Sequence, residues 1–321
     1  MPVGWDKTVL VVDDSPIYRR LITGHLEQWG FRVKVATSGL EGWEILRQPH
    51  SPTLVLSDWV MPGMDGLEFC RKVREGRPRG SYAYIILLTA KEGRANLISA
   101  LEAGADDYLV KPFDEQELKA RLLVGKRIVE LQQELVAAKE AMRHAATHDG
   151  LTGLINRREA VETMRRELAR CCRDRKPLTV ILADIDHFKK INDQLGHIAG
   201  DEVLIEVGKR LRSQVRPYDL VGRYGGEEFL LVMSACDLTS ALIRVDQIRS
   251  VVCGEPFATS VQPQTITLSM GVAVVEGGTK PPVQEVLQLA DMGLCKAKTE
   301  GRNRVEHIDP EEAKNKRVLL V

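Results

Sequence analysis

Residues 223–232 read RYGGEEFLLV. Two glycines, Gly225 and Gly226, run into two carboxylates, Glu227 and Glu228, and then into an apolar run. Glycine weakens a strand and glutamate is depleted in one, so the stretch is either a hairpin turn with exposed acids or a site. As a hairpin it folds YDLVGRYGGEEFLLVM, residues 218–233, back on itself. That makes the sheet around it at least partly antiparallel.

Outward from the hairpin, LTVILADI (178–185) and QTITLSMGVAVVE (264–276) read as further strands. Helical patterns lie around 157–172, 199–215, 238–253 and 283–298. This mixed order predicts an α+β domain over residues 148–321. The opposite end of the chain differs. TVLVVDD, FRVKVAT, TLVLSD, YAYIILLTA and DYLV alternate with amphipathic helical stretches. Nearly continuous apolar strands separated by helices predict a doubly wound, five-stranded parallel sheet over residues 1–113. Between them, residues 114–147 lack proline and carry an apolar seam at Val124, Ile128, Leu131, Leu135, Ala138, Met142 and Ala145. That four–three spacing fits an amphipathic helix lying on its own domain, or a parallel two-stranded coiled coil. The second is favoured, because the seam persists for about three heptads between two domains.

A chain of 321 residues suits two domains and a connector. At 44% apolar and 28% charged the composition is globular, and a formal net charge of zero offers no field for nucleic acid or an acidic membrane. Six cysteines without a C-x-x-C pair read as reduced thiols, not a disulfide framework or zinc site. MPVGWDKTVLVVDDS lacks the character of a signal peptide, and no apolar run reaches the roughly 18 residues of a membrane span. A cytoplasmic location without membrane insertion is expected.

Ligands of open α/β sheets collect at the carboxyl ends of strands. There the first domain places Asp13, Asp14, Asp58, Thr89 and Lys111. Converging carboxylates repel one another and suit a hard cation, while the lysine and hydroxyl suit phosphate oxygens. Any one of these acids alone reads equally as a cap or surface residue. Together VVDDS, LSDWVMPGMDG, LLTA and YLVKPF resemble the receiver domain of two-component response regulators. The resemblance implies that Asp58 is the phosphoacceptor, attacking a phosphohistidine of a sensor kinase or phosphotransfer donor. Asp13 and Asp14, with Asp58, would hold Mg²⁺, Lys111 would contact phosphate, and Thr89 and Tyr108 would form the switch pair.

In the second domain Asp184 and Asp186 end one strand candidate, and Asn192 and Asp201 follow in a helix–loop–helix. If the hairpin lies beside that strand, Asp184 and Glu227 share one site, suited to Mg²⁺ on nucleotide phosphates. The glycines would leave room for a ligand against the backbone. Lys298 and Arg302, four residues apart in CKAKTEGRNRV, suit phosphate oxygens, or are simply a solvated helix end. With DGLTGLINRR and RYGGEEF, residues 148–308 resemble GGDEF-family diguanylate cyclases in their GGEEF form, and the whole resembles the WspR-type arrangement. The resemblance implies condensation of two GTP to cyclic di-GMP and diphosphate across two facing copies. Asp184, Glu227 and the carbonyl of Ile185 would ligate Mg²⁺ (Mn²⁺ also serving), and Asn192 and Asp201 would read guanine. Lys298 and Arg302 would hold the outer phosphates, and Glu228 would help activate the ribose 3′-hydroxyl.

RPYD, Arg216 to Asp219, is on its own a surface ion-pair pattern. Its offset from GGEEF matches the family's inhibitory product site, implying inhibition by cyclic di-GMP through Arg216 and Asp219. Arg249, or one of Arg165, Arg166, Arg170 and Arg173, would complete that site. Cys295 stands where relatives often carry tyrosine, and reads as a packing change. The expected assembly is a homodimer or higher oligomer through the stalk. Two other readings compete: a silent module that binds cyclic di-GMP, and a receiver-driven dimerisation scaffold. Neither needs Asp184, Glu227, Glu228, Lys298 and Arg302 together.

Overall fold

The computed structural model describes residues 7–76, 82–90, 93–234 and 237–309. Most of the region read for a leader peptide is described, but residues 1–6 and the terminal 310–321 lie outside. The chain divides into two compact units, Met1–Ala141 and Met142–Val321.

In the first unit, β1 (Thr8–Val12), α1 (Pro16–Gln28), β2 (Arg32–Ala36), α2 (Gly39–Leu46), β3 (Leu54–Asp58), α3 (Gly66–Gly76), β4 (Tyr84–Thr89), α4 (Arg94–Glu102) and β5 (Asp107–Val110) alternate as expected. The strands form one parallel sheet in the order β2-β1-β3-β4-β5. Its side chains divide by the period of two. Leu10, Val12, Val55, Ile85 and Leu87 pack on one face, and Val9, Val11, Leu54, Leu56, Ile86 and Leu88 on the other. Burial on both faces explains the continuous apolar runs. The strand order reverses between β1 and β3, so a crevice opens at their carboxyl ends, where Asp13 and Asp58 stand.

The helix α5 (Glu115–Thr147) has two halves of different character. Leu118, Leu122 and Val129 are buried with Val9, Val11, Ile22 and Leu26 in the core of the parallel domain. Ile128 of the sequence seam packs partly against the same core. From 131 to 146 every residue is exposed, with Leu131, Leu135 and Met142 at 58%, 63% and 73%. The parallel domain's packing therefore extends to about residue 130, beyond the boundary at 113 suggested by the strand pattern.

The second unit continues with α6 (Arg157–Asp174), β6 (Leu178–Ile185), α7 (Phe188–Leu195), α8 (His197–Gln214), β7 (Leu220–Arg223), β8 (Glu228–Ser234), α9 (Leu238–Cys253), β9 (Leu268–Val275), α10 (Val283–Thr299) and β10 (Val305–His307). Its sheet order is β10-β9-β6-β8-β7. The strand β6, buried at all eight positions, runs antiparallel to both β8 and β9 at the centre. The short β10 pairs parallel with β9 at the edge. The hairpin is real: β7 and β8 pair antiparallel through the turn that holds the two glycines. Among the described residues no helix is long and apolar enough to cross a membrane.

Candidate functional site

Two sites form, one in each unit. In the first, carboxylate oxygens of Asp13, Asp14 and Asp58 lie within 4.8 Å of one another. Asp13 is fully buried, and Lys111 from the end of β5 bridges it (2.8 Å) and Asp58 (3.0 Å). Ser15 N donates to Asp13 Oδ1 at 2.8 Å and Trp59 N to Asp58 Oδ1 at 2.9 Å, fixing both carboxylates. Burial pushes the Asp58 carboxyl above the usual range, against the pull of the nearby Lys111 ammonium. Three acids against one lysine leave negative charge that a divalent cation would neutralise. Thr89 closes β4 fully buried, and Tyr108 is half-buried on β5 against the core. All the residues expected at this site lie on the carboxyl-end side of the sheet.

In the second unit, the antiparallel register places Asp184 of β6 directly opposite Glu228 of β8. Directly paired residues share a face of the sheet, so these two carboxylates stand side by side. Glu227, the last turn residue, is tied to the same place by a hydrogen bond from Ile185 N to its carbonyl at 3.3 Å. Lys298 from the last turn of α10 reaches Asp184 Oδ2 at 2.8 Å. Burial raises the Asp184 carboxyl, with Lys298 opposing. Burial and the neighbouring Asp184 charge raise both Glu227 and Glu228. The expectation that the hairpin lies beside β6 is met, with Glu228 rather than Glu227 in direct register. Asp184, Glu227 and the Ile185 carbonyl are oxygen donors of the kind a hard cation takes, and the raised carboxyls mark the charge it would offset.

The turn is held from behind. Arg223 donates to the carbonyls of Gly225 (3.2 Å) and Gly226 (2.7 Å), and its other arm meets Asp149 at 3.1 Å. Burial would raise Asp149, but Thr152 and Arg223 outweigh it and bring the carboxyl below its usual range. Gly225 has a cause the sequence did not disclose: a methyl group there would overlap the Glu228 carboxylate. Gly226 faces open space, as room for a ligand requires. Asp149 and Arg223 lay within DGLTGLINRR and RYGGEEF, yet their pairing joins positions 74 residues apart and no local pattern announces it.

Asn192 on α7 and Asp201 on α8 come from two helices joined at Gly196, whose φ is +84°. The Asn192 carboxamide oxygen lies tight against Gly200, the residue before the exposed Asp201, where any side chain would displace it. Arg302 is exposed in the turn after α10 with φ +63°, and its charge is felt at Asp184. Asp186 does not join the cation site. It is buried and takes hydrogen bonds from Thr267 Oγ1 (2.7 Å), Ser269 Oγ (2.7 Å) and Asn303 N (3.0 Å).

RPYD forms a closed turn. Arg216 N donates to Asp219 Oδ2 at 3.1 Å, and Asp219 N to the Arg216 carbonyl at 3.0 Å. Asp219 is buried, and among the described residues its Oδ1 has no partner. Arg216 and Tyr218 line a cavity of about 340 Å³ together with Arg170, Asp174 and Lys176. Arg249 is not brought to it. Its guanidinium bonds Asp246 (2.8 Å) and Asn303 (2.5 Å), whereas Arg170, from the alternative group, stands at the cavity wall. Cys295 is exposed, so the packing change read from the sequence falls at the surface.

Comparison with known proteins matches both units. Residues 146–304 match the diguanylate cyclase GGDEF domain, and residues 9–123 the response regulator receiver domain. Response regulator PleD of Caulobacter vibrioides is 37% identical over 257 residues, covering 78% of this chain and 56% of that protein. Diguanylate cyclase DosC of Escherichia coli is 39% identical over 235 residues, covering 67% and 50%. The chain thus spans about half the length of the curated relatives it matches. Among solved structures, the coiled coil and GGDEF domain of DgcB from Caulobacter crescentus, in complex with c-di-GMP, superposes with a TM-score of 0.52 at 31% identity. That match covers 59% of this chain and 98% of the other.

Proposed function

The chain belongs to the response regulators that carry a diguanylate cyclase GGDEF domain behind a receiver domain, and from this premise we propose that it condenses two GTP to cyclic di-GMP. The observation that carries the reading is the register of Asp184 against Glu228, with Glu227 beside them and Lys298 at 2.8 Å from Asp184. Asp184, Glu227 and the Ile185 carbonyl would hold Mg²⁺, the hard cation that suits all-oxygen ligands, with Mn²⁺ as a substitute. When bound, the cation supplies charge neutralisation and Lewis-acid polarisation at the phosphates. Lys298 and Arg302 hold the outer phosphates and receive the charge that develops on the leaving diphosphate. Glu228, its carboxyl raised by burial, accepts the ribose 3′-hydroxyl proton. The 3′-oxygen then bonds to the α-phosphorus of the facing nucleotide, and the bond from that phosphorus to diphosphate breaks. Two such transfers release two diphosphates. Asn192 and Asp201 read guanine: a carboxylate accepts from guanine N1–H and its amino group, and adenine offers no such pair.

One copy holds one nucleotide, so the reaction needs a second copy facing it. The exposed seam of α5 supplies the contact as a parallel coiled coil, which raises the effective concentration of the second half-site. Asp58 takes a phosphoryl group from a histidine kinase or phosphotransfer donor with Mg²⁺ held by Asp13, Asp14 and Asp58, and the change at Thr89, Tyr108 and Lys111 sets the assembly. Product returns as an inhibitor at the cavity of Arg216, whose turn the buried Asp219 closes, with Arg170 at the wall in place of Arg249 as the completing arginine. The test is incubation of the pure chain with GTP and Mg²⁺, with nucleotides resolved by chromatography. Cyclic di-GMP formed by the wild type and lost in Glu227→Ala is expected. Product-free incubation with retained cyclic di-GMP binding would instead favour a silent receptor module.

A further inference from the structure

The turn after α10 is clasped from two sides. Arg302 and Asn303 both adopt left-handed backbone, with φ of +63° and +48°. Residues with a β-carbon avoid that region unless their surroundings hold them there. The amide of Asn303 donates to Asp186 Oδ2 at 3.0 Å, and its side-chain oxygen accepts from Arg249 Nη1 at 2.5 Å. Arg302 N closes the helix end by donating to the Ala297 carbonyl at 2.9 Å, and Met270 N of β9 donates to the Arg304 carbonyl at 2.9 Å. Asp186 is anchored in turn by Thr267 and Ser269 at 2.7 Å each, so both of its oxygens accept hydrogen bonds. Arg249 is anchored by Asp246 at 2.8 Å. Arg302 itself is exposed, its backbone is fixed in the left-handed region, and its charge is felt at Asp184.

We infer that Asp186 and Arg249 are positioning residues that act through Asn303 to aim Arg302 at the nucleotide phosphates. The inference rests on the cyclase reading of the site. A buried carboxylate two residues beyond Asp184 and a cation on α9 thereby tie the phosphate arm to the strand that carries the cation site. Rigid support of this kind raises the affinity of a binding group without touching the ligand.

The test is a double-mutant cycle on GTP affinity, read by calorimetry of the full chain so that it does not depend on product formation. Asp186→Asn keeps the shape but removes the charge and puts an amide donor in place of one of the two accepting oxygens. It should weaken GTP binding about tenfold in the wild-type background and have no further effect in Arg302→Ala. Asn303→Gly, which tolerates the left-handed backbone but loses the Arg249 contact, provides the same cycle if Asp186→Asn folds poorly. Effects that multiply with Arg302→Ala in either cycle would overturn the inference. A non-additive cycle together with a wild-type chain that binds GTP yet makes no cyclic di-GMP would sink the cyclase reading alone, and absence of any GTP binding would sink both.

Discussion

Glu227 and Glu228 are held where the fold opposes their charge. Burial and the Asp184 carboxylate raise both, so the folded chain binds protons that the unfolded chain releases. The stability this gives is full below the ordinary carboxylate range and is lost as pH rises through the raised value. At pH 7 without cation the charges therefore cost stability. Glu227→Gln should raise Tm by about 2–4 °C at pH 7 in chelator, with the gain vanishing near about pH 4, measured by calorimetry. The same change should cut cyclic di-GMP synthesis at least about 100-fold and reduce the Tm increment from Mg²⁺. Gly225→Ala should lower activity by displacing the Glu228 carboxylate, with kcat affected more than GTP affinity. That Asp184, Glu227 and Glu228 gather in one place was legible in the sequence, because a strand's end and a hairpin turn adjoin. Arg223–Asp149 and Asp186–Asn303 were not, because each joins residues 74 or 117 positions apart through contacts that have no period.

At the level of elements, the two halves of α5 have different surroundings. Its first half is buried by the parallel domain, while residues 131–146 are exposed with an apolar seam. Leu135→Asp places a charge where a facing helix would bury it, and should weaken self-association by at least about tenfold in sedimentation measurements. Leu135 lies outside the parallel domain's core, so Asp58 phosphorylation by acetyl phosphate should continue unchanged. The seam was readable from its spacing, but the same spacing could not divide the helix. Ile128 faces the core and Leu131 faces solvent, a distinction made by tertiary packing alone. The strands β1 to β5 and the pair β7–β8 were equally readable, from continuous apolar runs and from a glycine turn. The three-residue β10 was not, because so short an edge strand leaves no alternation to detect.

For the molecule as a whole, a receiver domain and a GGDEF domain are joined through the helix α5. Product control should act at the Arg216 cavity. Arg216→Ala should leave initial rates at least about tenfold less sensitive to added cyclic di-GMP, and Arg170→Ala should do the same. The most direct test of the two-copy mechanism is the initial rate of cyclic di-GMP synthesis per protomer across a protein concentration series, with and without acetyl phosphate. Assembly controlled by Asp58 predicts that the rate per protomer rises with concentration and that phosphorylation moves the rise to lower concentration, an effect absent in Asp58→Asn. A rate per protomer that stays constant on dilution, and is the same with Asp58 phosphorylated or not, would contradict it.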